Sequence, residues 1–353
     1  MRVLEVITGG EPGGAQRHVV ELSRHLQDHG HEVMILHGGG RWLTQTLGPS
    51  FPARYVSSLV RSIRPGSDRR ALKELEHEVA RYRPSVMHVH SSKAGILGRF
   101  VAWRRHTPAV YTAHGYVFED PTISRLGRTL YRRLEGWAST HSAATIVVAR
   151  QDLAFATRHT RGGNAFYVPN GVILAPSARH PKRVPPIVGF MGRFSREKGL
   201  DWVIPTAVQH PEYIWHFAGD GALRSLITDQ VRHHAHLRWD GWVDVLDDWF
   251  GEVDVLIQPS WKEGAPYTLL DALARGVVTV GSRVGGIPEL LTGIDPALLV
   301  TPGDSDDLIR GIRYALEHGD RLRESMYRQL REHFDRDTQL QKVEDILLEV
   351  ARS

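Results

Sequence analysis

The chain has 353 residues, enough for two ordinary hydrophobic cores rather than one, and its 41% apolar and 24% charged content is that of a globular protein. With no cysteine it has no disulfide framework, thiolate zinc site or thiol nucleophile, which suits a reducing cytoplasm. The net charge of +4 conceals a split: residues 1–171 carry 23 Lys and Arg against 13 Asp and Glu, a balance of +10, and the remainder balances at −6. A basic first half suits an anionic partner, whether phospholipid or pyrophosphate, although uneven surface charge alone also accounts for it.

The first strand is expected at Val3–Ile7, close enough to the start to leave no room for a signal peptide. It runs into TGGEPGGAQ, where Gly9, Gly10, Gly13 and Gly14 crowd a strand-to-helix turn. Glycines allow backbone N–H groups to approach an anion, and the following helix start favours negative charge. The spacing is neither G-x-G-x-x-G nor a Walker loop, so a plain tight turn and a phosphate-facing loop both remain open. Helices are expected at Ala15–His29, Arg69–Arg81, Ala94–Arg104, Ser124–His141 and Gln151–Arg158. Strands are expected at Glu32–Leu36, Val86–Val89, Ala109–Tyr111, Thr145–Val148 and Ala165–Val168. The alternation predicts a parallel α/β sheet.

His114 follows the strand Ala109–Tyr111, with Gly115 permitting a sharp turn, and that position marks it as a site residue. Basic and aromatic residues recur on two helices of this half. Phe100, Trp103, Arg104 and Arg105 end one of them. Arg125, Arg128, Arg132 and Arg133 are interleaved on the other with Leu126, Leu130, Tyr131 and Trp137. Such a face rests on anionic headgroups or is simply solvated on one side and buried on the other. No nucleic-acid-binding module is present. No apolar run reaches the roughly 18 residues that span a bilayer.

The proline-rich stretch Val168–Pro186 breaks regular structure and marks a boundary, with Asn170-Gly171 a hinge able to take positive φ. The pattern then restarts, with strands at Ile187–Met191, Ile214–Ala218, Leu237–Trp239, Val253–Gln258, Val277–Val280 and Ala297–Val300. Two segments carry chemistry. In GFMGRFSREKG, Arg193 and Lys198 follow a strand's carboxyl end, where open α/β sheets bind ligands. Arg offers a planar fork and Lys a mobile charge to phosphate oxygens, and two such cations can stabilise a departing diphosphate, although a surface salt-bridge pair alone also accounts for them. In QPSWKEGAPYTLLDALARG, Glu263 lies just past a strand end, and Gly264, Ala265 and Pro266 lead into a helix whose N–H groups suit phosphate or hydroxyl oxygens. Asp271, a turn into that apolar helix, requires a partner. No acidic pair has metal-like spacing, so no essential metal or cofactor is expected. A final helix, Thr338–Ala351, has Leu340, Val343, Leu347 and Val350 on one stripe, and we expect it to join the first domain.

These segments, in this order, resemble the retaining glycosyltransferases of family 4. The most specific are GRFSREKG, AGDG at Ala218–Gly221, and EGAPYTLLD with a carboxylate at each end. The last motif normally ends in Glu; here the second acid is Asp271. The resemblance implies the α/β GT-B fold, two Rossmann-like domains with parallel sheets facing a central cleft. Residues 1–171 would bind the acceptor and 172–337 the nucleotide-sugar donor. It also implies catalytic roles for His114, Arg193, Lys198 and Glu263. The donor would touch Gly13, Gly14, Gly192, Gly219, Gly264, Ala265, Pro266, Tyr267, Thr268 and Asp271, with the base near Gly241, Trp242 and Val243. The implied reaction moves a hexosyl group from a nucleotide sugar, UDP-sugar foremost, to a saccharide or undecaprenyl-diphosphate-linked acceptor with retention of configuration. That activity belongs to polysaccharide synthesis at the cytoplasmic membrane face. A sugar-nucleotide epimerase or phosphorylase on the same scaffold, and a non-catalytic sugar-nucleotide binder, are the rival readings.

Overall fold

The computed structural model describes residues 1–174 and 183–352. The part of the proline-rich boundary at 175–182 therefore lies outside the described residues. The chain divides into two compact units. One comprises Met1–Glu119, Ser124–Asn170 and the chain from Asp337 onward; the other comprises Asp120–Ile123 and Gly171–Arg336.

The N-terminal unit is built on seven strands: β1 (Arg2–Ile7), β2 (Glu32–His37), β3 (Ala53–Tyr55), β4 (Val86–His90), β5 (Ala109–Ala113), β6 (Ala144–Val147) and β7 (Ala165–Tyr167). Their order is β3-β2-β1-β4-β5-β6-β7 and every pairing is parallel. The central strands are buried along nearly their whole length, as helices on both faces require. The second unit has six strands: β8 (Ile187–Met191), β9 (Ile214–Ala218), β10 (Leu237–Gly241), β11 (Val255–Gln258), β12 (Val278–Ser282) and β13 (Leu299–Val300). Their order is β10-β9-β8-β11-β12-β13, again all parallel. In both sheets the strand order reverses once, between β1 and β4 and between β8 and β11. These are the switch points at which doubly wound sheets hold ligands.

Several element boundaries differ from the sequence reading. The short edge strand β3 and the helix Trp42–Leu47 were not expected; β3 is only half-buried or exposed, so it has no apolar pattern to betray it. The helix expected at Arg69 begins at Pro65, whose fixed φ suits a first turn. The expected strand Ala297–Val300 is a 3-10 turn, Pro296–Leu298, capped by Asp295, followed by the two residues of β13. Asn170 and Gly171 are not among the positive-φ residues. Gly171 serves close approach instead. A Cβ there would lie 2.5 Å from the Cα of Arg336, where Val172 pairs in parallel with Asp335.

The final helix, Arg336–Arg352, completes the N-terminal unit. Leu340, Val343, Ile346, Leu347 and Val350 form one buried cluster with Val3, Leu22, Leu26, Val33, Val86 and Val110. Leu347 is fully buried. Leu347→Ala should therefore cost about 2–5 kcal/mol in equilibrium urea unfolding of the N-terminal unit. A loss below about 0.5 kcal/mol would mean that the helix is not part of that core.

Candidate active site

In the second unit the loops after β8 and β11 meet at the switch point. After β8 the chain makes a 3-10 turn, Arg196–Lys198, ending at Gly199 with φ +74. A Cβ at Gly199 would lie 2.0 Å from the carbonyl oxygen of Pro259, so only glycine permits this approach. Three further bonds fasten the two loops: Trp202 Nε1 donates to Pro259 O (3.0 Å), Trp261 N to Glu197 O (2.9 Å) and Lys262 N to Glu197 O (3.4 Å). The backbone thus fixes where Lys198 stands relative to Glu263.

The two side chains meet directly. Lys198 Nζ lies 2.6 Å from Glu263 Oε1, and the same oxygen accepts from Gln258 Nε2 (2.8 Å) and Ser260 Oγ (2.7 Å). Gln258 and Ser260 are buried, Glu263 is 6% exposed and Lys198 remains 23% exposed at its side chain. Glu263 Oε2 has no partner among the described residues, leaving one carboxylate oxygen to accept from a ligand hydroxyl. Arg193 is exposed in the turn directly after β8. Gly264 O accepts from Gly286 N (2.7 Å), holding the chain beyond Glu263 against the turn that follows β12. The helix Tyr267–Ala274 then begins after Pro266 with no side-chain cap. Its start at Ala265–Thr268 is therefore aimed from the same strand end as Glu263.

Other expected residues fall around this centre. Gly192 N bonds Ala218 O (3.0 Å), Gly219 N bonds Gly241 O (2.6 Å) and Phe194 N bonds Asp220 O (2.9 Å), tying the ends of β8, β9 and β10 together. Trp242 is 59% exposed, its indole N–H donating to Asp244 (2.8 Å), while Val243 packs beside Trp249 and Phe250. Asp271 is buried and has its ion-pair partner in Arg275, 3.6 Å away, which also binds Asp247 at 2.6 Å.

The N-terminal unit gathers a different set at its own switch point. The helix Gly14–Asp28 starts at Gly14, one residue earlier than expected, with Gly13 as an extended cap that makes no side-chain bond. His114 is half-buried beyond β5 and its Nε2 lies 3.1 Å from His90 Nδ1. His90 Nε2 in turn donates to Glu5 Oε2 (2.7 Å), whose other oxygen faces His88 (3.1 Å). His18, from the helix, adds a ring 5.1 Å from that of His114. With Glu5 ionised, His90 carries its proton on Nε2 and accepts at Nδ1 from His114 Nε2–H. The buried His114 Nδ1 is then an acceptor without a partner among the described residues. Sequence reasoning missed Glu5, His18, His88 and His90, as well as Gln258 and Ser260. The one available signal was polar residues inside apolar strands, as in VMHVH.

Two family models match the chain: Glycosyltransferase Family 4 over residues 12–175, and Glycosyl transferases group 1 over residues 185–318. The two doubly wound units and these matches define a GT-B glycosyltransferase. The chain belongs to glycosyltransferase family 4. It is 25% identical to an Escherichia coli UDP-Gal:alpha-D-GlcNAc-diphosphoundecaprenol alpha-1,3-galactosyltransferase over 295 residues, 76% of each chain. It is 26% identical to a Mycolicibacterium smegmatis phosphatidyl-myo-inositol mannosyltransferase over 337 residues, 88% of this chain and 83% of that one. In fold it matches a sucrose-phosphate synthase from Thermosynechococcus elongatus along the full length of both, with a TM-score of 0.84 at 19% identity.

The histidine cluster makes stability depend on pH. Burial, reinforced by the neighbouring imidazoles, holds His18, His90 and His114 well below the usual imidazole range. As pH falls below about 6.5 the unfolded chain takes up these protons first, so their contribution is complete above that value and is lost below it. Each such group steepens the loss by up to about 1.4 kcal/mol per pH unit. Thermal unfolding between pH 7 and pH 5 should show a smaller drop in Tm for His18→Gln than for the parent. Equal drops would remove His18 from the account.

Proposed function

We propose that the chain transfers a hexosyl group from a UDP-sugar to a lipid-linked saccharide with retention of anomeric configuration. The observation that carries this reading is the Lys198–Glu263 pair at the β8/β11 switch point. Lys198 and Arg193 would bind the donor diphosphate. Glu263 Oε2 would accept from a sugar hydroxyl, and the helix start at Ala265–Thr268 would face sugar and phosphate oxygens. Gly13 and Gly14 would close on the diphosphate, and Asp271 would bond the ribose once Arg275 yields. His114 would stand beside the sugar near the acceptor. In the transfer the anomeric carbon leaves the β-phosphate oxygen and bonds the acceptor hydroxyl oxygen, whose proton passes to the departing phosphate. Cationic side chains supply the charge stabilisation, so no metal is required. The donor and acceptor named for the Escherichia coli relative support a UDP-sugar and a diphosphoundecaprenol-linked acceptor. The relatives reported above are transferases, which weighs against an epimerase or phosphorylase.

The same reading places the N-terminal unit at a membrane surface. No described helix is long and apolar enough to cross a membrane. On the helix Arg125–Ser139, however, Leu126 is 83%, Leu130 54% and Trp137 46% exposed. Their spacing sets them on one stripe, with Arg133 between Leu130 and Trp137. Trp137 continues through Phe100 (ring centroids 6.0 Å apart) to Trp103, itself 55% exposed. Apolar side chains turned to solvent among arginines suit an anionic interface.

Incubating the protein with UDP-hexoses and an undecaprenyl-diphosphate-linked acceptor, with and without chelator, tests the reaction. Transfer should persist in chelator, and Lys198→Ala or Arg193→Ala should lower kcat/KM by roughly 10²-fold or more. Unchanged rates in both variants would remove the diphosphate role. Sedimentation with anionic liposomes should be salt-sensitive and weakened by Leu126→Glu with Trp137→Glu. Absence of sedimentation at low salt would dispose of the membrane contact.

A further inference from the structure

A second constellation lies in the N-terminal unit at the end of the sheet where the strands begin, away from the residues around His114. Three histidines surround one carboxylate. His25 Nε2 and His29 Nδ1 lie 2.9 Å and 2.5 Å from Glu344 Oε2, and His31 Nε2 lies 2.8 Å from Glu344 Oε1. The first two come from the last turn and cap of the helix Gly14–Asp28, four residues apart and hence on one side. His31 comes from the turn before β2, and Glu344 from the final helix. None belongs to the machinery proposed for glycosyl transfer.

Hydrogen bonding alone is the simpler reading, but the arrangement has what a metal site needs. His25 Nε2, His29 Nδ1 and Glu344 Oε2 all lie within 4.8 Å of one another. Ligand atoms around a tetrahedral zinc ion, at bonds of about 2.0–2.1 Å, stand about 3.4 Å apart, so each of the two His–Glu344 separations has to open by less than about 1 Å to admit the ion. Two imidazoles and a carboxylate suit zinc rather than calcium or magnesium, which prefer all-oxygen cages. The His pair at i and i+4 is the helical spacing that turns two imidazoles to a common ion. His31 supplies the outer partner that orients a ligating carboxylate. Burial is graded. Glu344 is 6%, His25 11% and His31 12% exposed at the side chain, while His29 at 43% leaves an entry path. The other such grouping among the described residues, Glu5, His88 and His90, is fully enclosed, and its histidines are already engaged with Thr112 and His114.

We propose that His25, His29 and Glu344 bind a zinc-class divalent ion, with water at the fourth position and His31 holding the second carboxylate oxygen. The ion ties the final helix to the first helix of the unit, and so acts as a structural fastening.

The test uses the full chain, stripped with chelator and titrated calorimetrically with Zn²⁺. One saturable equivalent should bind and raise the Tm of the N-terminal unit. His29→Ala, at the half-exposed and therefore tolerant position, and His25→Ala should each weaken binding at least tenfold. The control His233→Ala, at an exposed position in the other unit, should bind as the parent does. Co²⁺ in place of Zn²⁺ should give the intense visible bands of tetrahedral coordination, and these should be lost in His29→Ala. Absence of saturable Zn²⁺ binding in the parent would overturn the proposal. So would equal affinity in His29→Ala, which would put the ion elsewhere.

Discussion

One carboxylate oxygen organises the loops after β8 and β11 in the second unit. Glu263 Oε1 accepts from Lys198, Gln258 and Ser260, so a residue following β8, the last residue of β11 and the turn beyond it converge on a single atom. Because that oxygen is saturated, Glu263 is fixed in orientation and its second oxygen is directed outward. Lys198, a side chain with four rotatable bonds, is held at the sheet edge before any ligand arrives. A site prepared in this way loses less freedom when substrate binds than one that must assemble around it. The pair itself carries no net charge.

The fold explains why those residues can meet. In each unit the strand order reverses once, and the loops on either side of the reversal diverge over opposite faces of the sheet, leaving room above the strand ends. In the second unit that room is edged by Lys198 and Glu263. In the first it is edged by the Gly13–Gly14 helix start and by the Glu5–His90–His114 chain of hydrogen bonds. With Glu5 ionised, the latter assigns the protons of His114 through one intervening imidazole, so its acceptor nitrogen is set by a carboxylate on another strand.

Much of this was legible in the sequence because strand ends announce themselves. Apolar runs closing on Gly192 and on Pro259 located β8 and β11 to within two residues, and the charged residues just beyond them were the natural candidates. Their mutual contact was not legible. It depends on β8 and β11 being neighbours though nearly seventy residues apart, and on Gly199 meeting the Pro259 carbonyl, which no local pattern records. The same applies to Glu5, His88 and His90, whose polar side chains sit in strands that otherwise read as apolar. The helix Arg125–Ser139 shows a third limit. Periodicity revealed two kinds of face but not which one turned outward, and Leu126, Leu130 and Trp137 turn outward. The long helix Ser305–His333 did offer a local sign, since Asp304 caps it through Asp307 N at 2.9 Å.

The placement of the final helix affects the order in which the molecule can be made. The second unit is almost contiguous in sequence, whereas the first is interrupted by it and finished only by the helix Arg336–Arg352. During synthesis the apolar groove lined by Val3, Leu22, Leu26 and Val86 therefore stays uncovered while some 166 intervening residues, Gly171–Arg336, are translated. A ribosome-bound chain would have a complete second unit and an unfinished N-terminal unit. A premature stop at or shortly after Asp337 would leave intact the unit nearest the lesion and cripple the one encoded first.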